Sequence, residues 1–135
     1  MTLVVVLVTV GLHFETLERL NWWVPRWKPV PPRLRILVLM LILLMLHVVE
    51  IWLFGIVIDL VGYFPDLGVI TGMHPVGILD AVYLSATTYS TVGYGDLVAT
   101  GPIRILLGTE ALVGLLMITW SASFTYLEMR RYWRT

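Results

Sequence analysis

Six consecutive residues, Thr91-Val92-Gly93-Tyr94-Gly95-Asp96, carry the chemistry that this chain advertises. What the run offers is backbone carbonyl oxygen rather than a reactive side chain. Pointing successive carbonyls to one side requires peptide planes to alternate between right- and left-handed regions, and the left-handed region costs L-residues roughly 1–2 kcal/mol each. Gly93 and Gly95 are where the left-handed turns occur without a Cβ clash. Four such strands around one axis would stack cages of oxygen able to replace the water shell of a dehydrated K⁺ ion.

A second group of candidates is ionisable and lies inside apolar stretches. Glu50 and Glu110 both fall roughly 24–26 Å from the same ends of their segments, at 1.5 Å per residue. His47 shares a helical face with Glu50 at i, i+3. Isolated charges at such depth are expensive, so Glu110 is expected to face protein. Its expected partners are Glu50 through a shared proton, His47, or the hydroxyls of Thr87 and Thr88. A shared proton would make the protein's activity respond to pH; the plainer reading is a satisfied polar brace. Catalysis is not indicated. There is no cysteine, His13, His47 and His74 are widely separated in sequence, and no nucleophile–base pair, metal-ligand spacing or phosphate loop occurs.

Elements long enough to position these groups must sit in a membrane. Hydrophobic residues make up 59% of the 135, charged residues only 13%, and mean hydropathy is +0.88, values outside the soluble globular range. Formal net charge is zero, so no nucleic-acid partner is implied, and nothing points to a small-molecule substrate or organic cofactor. The length leaves room for one small membrane domain. Residues 1–20 read as a short, tilted membrane helix. Residues 21–33 read as an interfacial linker, where Trp22, Trp23 and Trp27 stand beside Arg26 and Lys28 and four prolines break regular structure. Residues 34–62 form an outer helix of about 43 Å, longer than the ~30 Å hydrocarbon core.

Residues 76–90 are apolar on one side and carry Ser85, Thr87, Thr88 and Ser90 on the other. Pro75 suits a helix start and Asp80 suits the positive end of the dipole. This helix is too short to cross, so it is re-entrant, tolerated because protein surrounds it. Its C-terminus leads into Thr91, with the negative end of its dipole below the strand. Tyr83 and Tyr89 are expected to pack around that strand as a cuff. Residues 102–127 read as the inner helix. Gly108, Ala111 and Gly114 form a small-residue stripe for close packing, and Gly114 is also a candidate hinge.

Residues 91–96 closely resemble the potassium-channel selectivity filter, and residues 34–134 resemble a small prokaryotic potassium channel of the two-helix pore-loop type. The resemblance implies an all-α membrane fold of outer helix, re-entrant pore helix, filter and inner helix, here with an additional N-terminal helix, assembled as a homotetramer. It implies K⁺ held by the carbonyls of Thr91, Val92, Gly93 and Tyr94, with the Thr91 hydroxyl at the innermost site. Gly95 would shape the outer mouth and Asp96 would brace the filter from behind. Some family members place an acid four residues before the filter threonine; this chain has Thr87 there, so filter support is expected to differ. The alternatives are a non-conducting regulatory or anchoring subunit, or a weakly selective cation channel.

Charge placement orients the chain independently. Eight of the nine basic residues lie in the first linker or at the C-terminus, and only Arg104 falls elsewhere. With three crossings, the positive-inside rule puts the linker and C-terminus in the cytoplasm, and the filter mouth and Met1 outside an inner (plasma) membrane. No apolar segment carries arginine at every third position, so a voltage sensor is not indicated.

Overall fold

Prolines divide the chain into its helices. The computed structural model describes residues 1–27, 30–72 and 77–133. Helix α1 spans Thr2–Trp23, α2 Pro32–Gly62, α3 Ile78–Tyr89 and α4 Ile103–Trp133. Helix α1 runs past its charged residues because nothing breaks it before Pro25, which sits in a single 3₁₀ turn, Val24–Arg26. Helix α2 starts on Pro32, where a missing N–H costs nothing. Among the described residues, α2 and α4 are the two helices long and apolar enough to cross a membrane.

The buried residues of α2 (Leu39, Leu43, Leu46, Glu50, Phe54, Ile58 and Val61) recur every three or four positions, forming one stripe along the helix. One end of this stripe packs with Val5, with Ala81 and Leu84 of α3, and with Ile103, Leu106, Val113 and Met117 of α4. The other end packs with Leu17, Leu20 and Val24. Helix α1 therefore runs antiparallel along α2. Its own buried row, Val5, Thr9, His13, Leu17 and Leu20, includes two polar residues. In both helices the buried polar groups, His13 and Glu50, fall between the two apolar clusters.

Helix α3 is shorter than the 76–90 segment expected. Its N-terminus is closed by the Gly77 N–H donating to the Asp80 carboxylate at 2.8 Å, the role that an acid in the first turn favours; Pro75 and Val76 lie outside the described residues. Twelve residues rise about 18 Å, so α3 enters the bundle without crossing it. The segments on either side of α3 and the strand after it contain a small antiparallel ribbon. Val69–Thr71 (β1) pairs with Val98–Thr100 (β2), with Ile70 opposite Ala99. Three-residue strands are too short to show a period, which is why pattern alone missed them. Helix α4 continues past the expected end at Leu127 to Trp133. There Arg131 reaches both Glu128 (2.5 Å) and Asn21 of α1 (3.4 Å), joining the two helices at that end.

Candidate functional site: a strand of carbonyls and the polar layer beneath it

The filter strand leaves α3 without a break. Ser90 still donates its N–H to Ala86, Thr91 donates to the Thr88 carbonyl at 2.9 Å, and Gly93 donates to the Thr87 carbonyl at 3.0 Å. These bonds clamp the strand to the last turn of the pore helix. The backbone then alternates: φ is +60° at Thr91, +53° at Gly93 and +81° at Gly95, with Val92 and Tyr94 not positive. Glycine meets this requirement twice, as the sequence implied. Thr91 meets it with a β-branched side chain, the one positive-φ non-glycine among the described residues, and such strain persists only where surroundings enforce it. In the single chain residues 91–96 are exposed, Val92 by 55% and Tyr94 by 73%.

The flanking residues divide into two groups. Tyr83 stands against the strand of residues 91–96: its ring lies parallel to Tyr94, 6.5 Å between centroids, and its hydroxyl faces the Asp96 carboxylate. Tyr89, expected beside it, turns the other way and is buried. The Tyr89 hydroxyl donates to Glu50 Oε2 at 2.5 Å. Thr87 bonds its hydroxyl back to the Leu84 carbonyl, so the backbone of Thr87, not its side chain, supports the strand. Thr88 likewise contributes its carbonyl.

Below the strand lies a polar layer. Glu50 is fully buried and takes up His13 Nδ1 at Oε1 (2.9 Å) and His47 Nδ1 at Oε2 (3.2 Å), besides Tyr89. The other nitrogen of His13 meets Ser121 Oγ at 3.3 Å. Glu110 faces protein, as expected of a charge at that depth, but its hydrogen bond goes to none of the expected partners. Its Oε1 accepts from Ser85 at 2.5 Å, and its Oε2 is buried without a partner. Residue pattern does not single out His13, Ser85 or Ser121 as partners in this layer. Ser85 falls on the polar side of α3 and His13 on the i+4 row Val5-Thr9-His13-Leu17; neither spacing reveals which helix stands opposite. The separation of the histidines in sequence also misleads, since the His13 and His47 rings lie 5.5 Å apart.

Gly114 has a use that requires no bending. Helix α4 runs unbroken through it, and a Cβ there would lie 2.1 Å from the Tyr89 carbonyl oxygen. Helix α4 thus touches the backbone at the base of the filter strand. The small-residue stripe divides accordingly: Gly114 is buried, whereas Gly108 is exposed in the single chain.

Ser85 Oγ also lies 2.8 Å from the Ile51 carbonyl, so this one hydroxyl, whose single proton serves either acceptor, stands where α2, α3 and α4 meet. Ser85→Ala is expected to lower stability by about 1–3 kcal/mol, because Glu110 would lose its hydrogen bond while staying buried. Thermal melting in detergent checks this, and Ser85→Thr, which keeps a hydroxyl, should lose less.

Residues 46–128, more than half of the chain, match the family model described as "Ion channel". The chain belongs to this ion-channel family. The match covers the second half of α2, all of α3, the filter strand and most of α4, so it includes Glu50, Tyr89 and Glu110 but not His13. The chain is also similar to the inward rectifier potassium channel Kirbac3.1 of Paramagnetospirillum magnetotacticum, with 39% identity over 64 residues. That stretch is 47% of the chain and 22% of the relative, so the chain matches about a fifth of the relative's length. No solved structure gives a match.

Proposed function

We propose that four copies of this channel assemble about an axis and pass dehydrated K⁺ between backbone carbonyls of Thr91, Val92, Gly93 and Tyr94. The observation that carries this reading is the alternation of backbone handedness at Thr91, Gly93 and Gly95, the condition for carbonyls to line one side. Exposure of the strand in one chain fits a site completed by three others. Thr91 would add its hydroxyl at the inner end, and Asp96, facing Tyr83 rather than an acid of α3, would brace the outer end. Similarity to a potassium channel supports K⁺ as the permeant ion.

The membrane arrangement follows the charges. Helix α1, at 22 residues about 33 Å long, is less apolar than α2 and α4 because of Glu15, Glu18 and Arg19; its antiparallel packing along α2 is what supports a third crossing, which would leave those charges at the interface. The linker and C-terminus would then be cytoplasmic and the filter mouth outside, in an inner membrane.

Flux into liposomes holding the purified protein alone tests the reading. K⁺ flux should exceed Na⁺ flux by roughly 10-fold or more, equivalent to about 1.4 kcal/mol between barriers. Equal fluxes would replace it with a weakly selective cation channel, and no flux with a non-conducting subunit. Native mass in detergent should give four chains.

A further inference from the structure

We propose that His13, His47 and Glu50 form a binding site for a zinc-class transition-metal dication, joining α1 to the pore domain beneath the filter. The donor atoms of these three residues, one from each, lie within 4.8 Å of one another. His13 Nδ1 and His47 Nδ1 already stand 2.9 and 3.2 Å from the Glu50 oxygens. A tetrahedral ion with bonds of 2.0–2.1 Å separates its ligands by about 3.3–3.4 Å. Closing the widest donor pair, which lies within 4.8 Å, to that separation takes side-chain shifts on the order of an ångström. The Tyr89 hydroxyl, 2.5 Å from Glu50 Oε2 and 3.0 Å from His47 Nδ1, would stay a neutral hydrogen-bond donor to the Glu50 carboxylate, leaving the fourth position to water.

The surroundings fit a bound metal in two further respects. Binding through Nδ1 leaves the His13 Nε2–H to donate to Ser121 Oγ, 3.3 Å away, the outer-shell bond that fixes ring orientation in metal-ligating histidines. Charge is the other. The ion pairs of Glu50 among the described residues are with His13 and His47, and neutral imidazoles leave its negative charge uncompensated.

The donor set selects the ion. Two imidazoles with a carboxylate suit Zn²⁺ and its neighbours, whereas Mg²⁺ and Ca²⁺ require oxygen cages. K⁺ is likewise a filter ion held by oxygen alone. Within the chain the open side of the cluster is the His47 edge, where the side chain is 16% exposed while His13 and Glu50 are covered.

The test uses the full-length protein in detergent after chelator treatment. Co²⁺ titration should produce the visible bands of a tetrahedral complex, saturating near one ion per chain and displaced by Zn²⁺ but not by Mg²⁺ or Ca²⁺. Zn²⁺ should raise the melting temperature, and His47→Gln and His13→Asn should each weaken binding by roughly 100-fold or more. The absence of stoichiometric Co²⁺ binding to the unaltered protein would overturn the site without any variant. So would unchanged binding in both variants, which would place the ion elsewhere. None of these readouts depends on ion flux: a protein that binds Zn²⁺ and passes no K⁺ would refute the conduction reading and leave this site standing.

Discussion

Gly93→Ala is expected to abolish K⁺ flux while leaving the protein folded. Gly93 sits at φ +53° with no atom of its own chain within 4 Å of where a Cβ would be, so crowding within the chain is not the obstacle. The obstacle is backbone conformation, about 1–2 kcal/mol for each left-handed alanine, and so on the order of 4–8 kcal/mol over four copies in the proposed assembly. Rotating the Val92–Gly93 and neighbouring peptides relieves the strain, and that rotation turns a carbonyl away from the axis. Flux should therefore fall by at least about 10-fold, with native mass and melting temperature close to those of the unaltered protein. Gly11→Ala, in α1 and equally free of neighbours, should leave flux intact. Retained K⁺ selectivity in Gly93→Ala would mean that ions take a path other than these carbonyls.

Gly114→Ala fails for a different physical reason, and both stability and flux should register it. Its Cβ would lie 2.1 Å from the Tyr89 carbonyl oxygen, 2.8 Å from the carbonyl carbon and 2.9 Å from Cα. All three are backbone atoms and cannot swing aside as a side chain would. Either α4 retreats or the end of α3 moves, and overpacking of this kind costs about 1–3 kcal/mol or more. Melting should drop by several degrees. Flux should fall with it, because Tyr89 is two residues before Thr91 and its hydroxyl holds Glu50. Gly108→Ala, with nothing within 4 Å in its own chain, separates this effect from a general loss of helix flexibility. A Gly114→Ala protein that melts normally yet opens and closes differently would restore the hinge reading and remove the packing one.

The two glycines show where residue patterns can be read and where they cannot. The demand on Gly93 comes from its own backbone and immediate neighbours, so a six-residue window contains it. The demand on Gly114 comes from Tyr89, 25 positions away, and a stripe of small residues indicates a close approach without naming what approaches. The same division runs through the polar layer. Burial of Glu110 follows from its place in an apolar helix, whatever surrounds it. Its bond to Ser85 rather than to Thr87, Thr88, His47 or Glu50 depends on the rotation of α3 about its axis, which apolar pattern sets only to within a face.

Sequence by itself determined the membrane character, the two long apolar helices, the short helix that cannot cross, and the alternating strand that follows it. Each of these depends on length, on apolar content or on the conformational freedom of single residues, all of which are local. Tertiary structure alone decided that His13 of α1 meets His47 and Glu50 of α2, that Tyr83 stacks on Tyr94 while Tyr89 bonds Glu50 in the layer below, and that two three-residue strands pair. Those contacts are fixed by how helices rotate and slide against one another, and such freedoms leave no periodic mark in either partner.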